Sequence, residues 1–206
     1  MSNVGLLYVG AVLLVNGFML LGKIDGKSAG IFNLFVGGLQ IFTPIFMITT
    51  ANGDAQTILS ASAIFLFGFT YLYVGITNLT NASGSGVGYY SLWVSILAIG
   101  YSLVNFINFG DVKFGIIWLM WAFLWFLFYL LLAKNKPIEK YTGWIAVIQS
   151  WITCTIPAFS ILAGIWDAVT NVAGIIIGIG AFIIFALLYK MLPTFINEKR
   201  VDQLDA

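Results

Sequence analysis

The chain has 206 residues, 61% hydrophobic and 8% charged, a balance that excludes a soluble globular domain and points to a membrane protein with several spans. Nine basic residues against eight acidic ones leave a net charge of +1, too little to hold nucleic acid or attract an acidic substrate. Histidine is absent and Cys154 is the only cysteine, which removes His-based metal sites, His acid–base chemistry, a His pH switch and any intrachain disulfide.

Hydropathy predicts seven spans, in chain order 4–22, 28–50, 56–78, 89–108, 114–133, 142–164 and 171–192. The first run begins at Val4 with no basic segment before it and reaches Leu21 without a small-residue cleavage site, so it reads as a retained span. Short polar connections separate the spans: KIDGK at 23–27, the loop at Asp54, NASGSGVG at 81–88, the loop at Asp111, KNKPIEK at 134–140 and the segment at Asp167. If the side holding 23–27 is the inner one, eight basic residues lie inside and only Lys113 lies outside. That asymmetry predicts an outer N-terminus and an inner C-terminus, which requires an odd number of spans. A weak internal repeat is also visible. LYVG occurs at 7–10 and 72–75, and NLFVGGLQ (33–40), SLWVSILA (91–98) and TGWIAVIQ (142–149) align loosely, as three helix hairpins on one plan would.

The fifth span is the most apolar. Twenty residues from Phe114 to Ala133 cover the ~30 Å hydrocarbon core at about 1.5 Å each. Within it Trp118, Trp121 and Trp125 recur at i, i+3 and i+7 and so share one helix face. Such a stripe in a membrane protein usually packs or meets lipid. It also makes a flat, weakly polar wall suited to a small planar neutral molecule bearing N–H groups.

No Asp, Glu, Lys or Arg lies near the middle of a span, which argues against a proton-coupled pump, a charged ion filter, a retinal protein and an intramembrane hydrolase. No catalytic residue, cofactor motif or metal-ligand cluster is predicted. What remains in the spans is neutral: Asn16, Asn33, Gln40, Thr43, Thr70, Asn105, Gln149, Ser150, Thr153 and Thr155. Most should bond helix to helix, with one or two facing a polar path. Pro44 and Pro157 each free a carbonyl about one turn earlier, which either kinks the helix or presents that carbonyl to a path.

Taken together, LLYVGAVLLVNG (6–17), KIDGKS (23–28), NLFVGG (33–38), LFGFTYLYVG (66–75), IIWLMWAFLW (116–125) and YTGWIAVIQ…IPAF (141–159) resemble the AmiS/UreI family of urea channels and short-chain amide transporters. The resemblance implies a six-helix protomer of three hairpins, a pore through each protomer, and a homohexamer in the bacterial inner membrane. It places the pore wall at Val9 and Leu13, Phe67 and Tyr71, and Trp118, Trp121, Leu124 and Trp125, with Gln149 where acid-gated members carry a Glu. Those members also carry histidines in long outer loops. Here the outer loops are short and lack His, so the expected pore is not acid-gated.

The expected fold is therefore an all-α polytopic membrane protein with a six-helix channel core over 1–166. An additional span over 167–193 and a cytoplasmic polar tail over 194–206 complete it. The expected solutes are urea, acetamide and similar short-chain amides, and the expected partners are membrane lipid, further copies of the chain, and a functional link to a urease or an amidase. An alternating-access carrier and a non-conducting scaffold subunit are the rival readings.

Overall fold

The computed structural model describes residues 2–202, with side chains over 2–192. Seven helices among them are long and apolar enough to cross a membrane: α1 (Ser2–Leu20), α2 (Gly26–Thr50), α3 (Ala55–Thr80), α4 (Ser85–Ile107), α5 (Val112–Leu132), α6 (Glu139–Leu162) and α7 (Asn171–Asp202). No strand occurs among the described residues. The all-helical seven-span architecture read from hydropathy is thus the observed one.

Helix starts are set by aspartates. Asp25, Asp54 and Asp111 each precede a helix and accept the backbone N–H three residues on, from Ser28 at 2.9 Å, Thr57 at 2.8 Å and Phe114 at 2.9 Å. An N-cap of this kind stabilises a helix by about 1 kcal/mol, because one of the orphan donors of the first turn finds an acceptor. The capped helices begin one or two residues earlier than hydropathy alone places them. At the other end, α3 stops where Asn81 turns left-handed (φ 55°).

Helices pair most closely as α2/α3, α4/α5 and α6/α1. Small residues seven apart make each approach possible. Gly30 and Gly37 of α2 meet Gly75 and Leu72 of α3, where a Cβ on Gly37 would stand 2.8 Å from the Leu72 backbone N. On α4, Ser95 and Ser102 donate to the carbonyls of Ala122 (2.8 Å) and Gly115 (2.7 Å) on α5. Gly10 and Gly17 of α1 lie against Ser150 and Gly143 of α6. In a bilayer, where apolar surface gains nothing by leaving lipid, such close backbone approach and interhelical hydrogen bonding hold the bundle.

α6 departs from a regular helix. Residues Ser150–Thr155 form a π-helical segment just before Pro157. Proline has no N–H and frees a carbonyl in the preceding turn, and the ladder shifts to i→i+5 bonds there. The Thr155 hydroxyl donates to Ser150 O at 2.8 Å and helps close the widened turn. Pro157 therefore produces a π-bulge against α1. Pro44 frees the Gln40 carbonyl, and that carbonyl lies against Gly68 of α3.

α7 packs on α5 and α6. Phe123 meets Phe182 and Phe185 at ring separations of 6.0 and 5.8 Å, and the Tyr141 hydroxyl donates to Phe185 O at 3.1 Å. Lys113 at the start of α5 holds the connection before α7, donating to Trp166 O (3.3 Å) and Val169 O (3.0 Å) and lying over the Trp166 ring. The backbone of α7 continues beyond the expected span to Asp202. The side chains of the polar tail expected at 194–206 lie outside the described residues.

Candidate solute pore

Two cavities lie in the interior of the bundle. The larger, about 370 Å³, is walled by α1, α3, α4 and α5 near the connections 23–27 and 81–88. The smaller, about 250 Å³, lies toward the opposite face, where Ser2, Asn3, Phe109 and Phe114 border it. Phe67 and Trp121 line both, so the cavities abut at this ring pair. Among the described residues no charged one lines either cavity.

Eight of the nine expected wall residues are brought together here. Val9 and Trp118 line the smaller cavity, Leu13, Tyr71, Leu124 and Trp125 line the larger, and Phe67 and Trp121 stand between. All eight are buried, Trp118, Trp121 and Trp125 with 7%, 4% and 6% of their surface exposed, so the indole stripe faces inward and not toward lipid. Gln149, the ninth, lies elsewhere. It is fully buried between α6 and α5, donates to Met120 O at 2.9 Å, and lines neither cavity.

An aromatic cluster stands where the two cavities abut. The Phe67 ring meets Trp121 edge-on at 4.9 Å, Trp125 at 4.9 Å and Trp118 at 6.0 Å. Trp118 is backed by the Tyr101 ring, stacked at 4.8 Å. The orientation of Trp121 is fixed by its indole N–H, which donates to Thr153 Oγ1 at 2.9 Å, and that hydroxyl donates in turn to Gln149 O at 2.6 Å. The π-bulged segment thus holds the central indole without touching either cavity.

These positions set α1 against α3 in a register different from that of the LYVG match. Val9/Leu13 of α1, Phe67/Tyr71 of α3 and Trp121/Trp125 of α5 are i, i+4 pairs that converge on the same interior. That equivalence matches Gly10 with Gly68. The LYVG match at 7–10 and 72–75 pairs it with Gly75, one heptad away. With small residues recurring every seven positions on both helices, a one-heptad slip preserves the string match while shifting the wall.

Of the neutral polar residues in the spans, Asn16 and Thr70 border the larger cavity, and Gln40 and Asn105 the smaller. Asn33, Thr43, Ser150, Thr153 and Thr155 line neither. The remaining lining groups, Tyr101 and Thr77 among them, carried no sequence signal, since their side chains become wall only through the angle at which α3 and α4 pack. The Thr77 hydroxyl is buried without a hydrogen-bond partner. Among the described residues no cluster of side chains suits a metal ion.

The AmiS/UreI family transporter profile matches residues 1–165. A putative transporter protein AmiS2 of Rhodococcus erythropolis is 50% identical over 174 residues, 84% of this chain and 84% of the relative. A putative amidate substrates transporter protein of Mycolicibacterium smegmatis is 47% identical over 181 residues, 87% of this chain and 85% of the relative. The crystal structure of the urea channel from Helicobacter pylori is matched with a TM-score of 0.73 at 32% identity, over 81% of this chain and 99% of that one.

Proposed function

The chain belongs to the AmiS/UreI family, whose members matched above are transporters and channels and not enzymes, and we propose that it is a passive channel for urea and short-chain amides such as acetamide, open without acidification. The observation that carries this reading is the uncharged, ring-walled constriction of Phe67 and Trp121 between two cavities. A planar amide sheds its water there and lies against ring faces, while Thr70 on one side and Gln40 and Asn105 on the other re-form hydrogen bonds at either mouth. An ion meets no fixed charge and no carbonyl ring, so its dehydration goes uncompensated.

The protomer sits in the inner membrane of a bacterium with the larger cavity opening to the cytoplasm, as the eight-to-one distribution of basic residues favours. Six copies form a ring, each with its own path. A cytoplasmic urease or amidase consumes what enters.

Osmotic swelling of proteoliposomes in iso-osmotic urea or acetamide tests the reading. Permeability above that of protein-free vesicles is expected, linear with concentration. No excess permeability to either solute would end it, and saturation with trans-stimulation would replace the channel by an alternating-access carrier.

A further inference from the structure

The membrane interior of this protein holds several buried carboxamides, and they are treated unequally. Asn16 and Asn33 form a reciprocal pair, Asn16 Nδ2 donating to Asn33 Oδ1 at 3.0 Å and Asn33 Nδ2 to Asn16 Oδ1 at 2.6 Å. Asn105 donates to Tyr101 O and Gln149 to Met120 O. Gln40 and Gln149 each carry a buried Oε1 without a partner, but Gln149 Nε2 is bonded, whereas Gln40, 3% exposed, makes no hydrogen bond through either end among the described residues. A buried amide left unpaired is costly and calls for an explanation.

Its position supplies one. Gln40 lines the smaller cavity together with Phe67 and Trp121, on the mouth of the constriction opposite Asn16. The space for its carboxamide is made by Gly5 of α1, where a Cβ would stand 2.7 Å from Oε1. A carboxamide offers one donor and one acceptor side by side. The group that satisfies both at once is another primary amide, as the Asn16–Asn33 pair demonstrates within the same bundle.

We propose that the Gln40 carboxamide, once its buried Oε1 swings from Gly5 into the cavity, docks the solute, forming with the N–H and C=O of a primary amide or a urea the two-bond pair that Asn16 and Asn33 form with each other. The proposal rests on the channel reading. Two bonds made as water is shed lower the barrier to entering the ring constriction. They also select chemistry: a secondary amide is trans, so its N–H and C=O point to opposite edges and cannot both reach Gln40. Gln40 is thereby a specificity-determining residue for carboxamides with a free NH2.

The test uses proteoliposomes of the full chain carrying Gln40→Met or Gln40→Leu, with acetamide, urea and N-methylacetamide as solutes. Acetamide and urea permeability should fall about tenfold, the worth of one to two net hydrogen bonds. Permeability to N-methylacetamide should stay at its wild-type level. An unchanged acetamide rate, or an equal fall for all three solutes, would overturn the docking role. So would failure of both variants to assemble, because that would show Gln40 serving the fold. A wild-type protein that passes no amide at all would instead remove the channel reading on which this stands.

Discussion

Phe67 touches three indoles and borders both cavities, so on the channel reading its ring stands in the path between them. A fitted apolar wall discriminates one extra methylene by about tenfold or more. Phe67→Ala removes that wall, and the ratio of butyramide to acetamide permeability should rise by about tenfold in vesicle swelling. Trp121 supports the opposite side through a single hydrogen bond to Thr153. Trp121→Ala separates channel from scaffold: a channel keeps its assembly on size-exclusion chromatography and changes its flux or selectivity, while a scaffold loses assembly. Residue identity here was legible in part. The indole spacing on α5 showed one shared face, and family resemblance said that this face looks inward. Gln149 bears on the same question differently, because the amide N–H of a glutamine in an apolar helix can be taken by a neighbouring carbonyl as well as by a solute, and only the packing of α6 on α5 shows that Met120 O takes it.

Whole helices are held by backbone approach. Two adjacent glycines of α2 show how local the requirement is. Gly37 lies against Leu72 of α3, whereas Gly38 has open space where its Cβ would be. Gly37→Leu must push α2 away from α3 and should destabilise the protein by about 1–3 kcal/mol, the usual cost of overpacking. Gly38→Leu should leave the thermal midpoint in detergent unchanged, and an equal drop for both would refute this account of the pair. The sequence carried a faint repeat, LYVG at 7–10 and 72–75, but those strings do not fix a register, since the small residues seven apart on α1 and α3 fit equally well after a one-heptad shift.

At the scale of the molecule, neither cavity is lined by any described side chain of α6 or α7. We expect the chain truncated after residue 166 to retain urea flux with a lowered thermal midpoint, because it loses the packing of Phe182 and Phe185 on Phe123 and the Tyr141 bond but no wall residue. Loss of flux at normal assembly would make α7 part of the conducting unit. pH response is also a property of the whole chain. The hydroxyl of Ser28 and then its backbone N–H hold Asp25 below its ordinary 3.8, and the hydroxyl and backbone N–H of Thr57 do the same for Asp54. The stabilisation from a lowered carboxyl is complete above that ordinary value and is lost only as pH falls through the lowered one. Lys134 is raised above its ordinary 10.5, first by hydrogen bonding to Tyr129, so it stays protonated at any lower pH. With no histidine in the chain, urea flux should be flat between about pH 5 and 7. A steep rise on acidification would contradict this.

Sequence alone determined the number of spans, the side on which basic charge gathers, and the absence of charge from the bilayer interior. Each of these is a one-dimensional consequence of hydrocarbon thickness and of the cost of burying charge, so each can be read along the chain. Tertiary structure decided which neutral groups face a cavity, which of them are already paired, and that Phe67 and Trp121 meet between two cavities. Asn16 and Gln40 illustrate the division. In the sequence they are equivalent polar interruptions of apolar helices, but Asn16 meets a partner on α2 whereas Gln40 meets the bare backbone of Gly5 on α1. Whether a buried amide is glue or a docking point depends on what stands opposite it, and that is fixed only when the helices close.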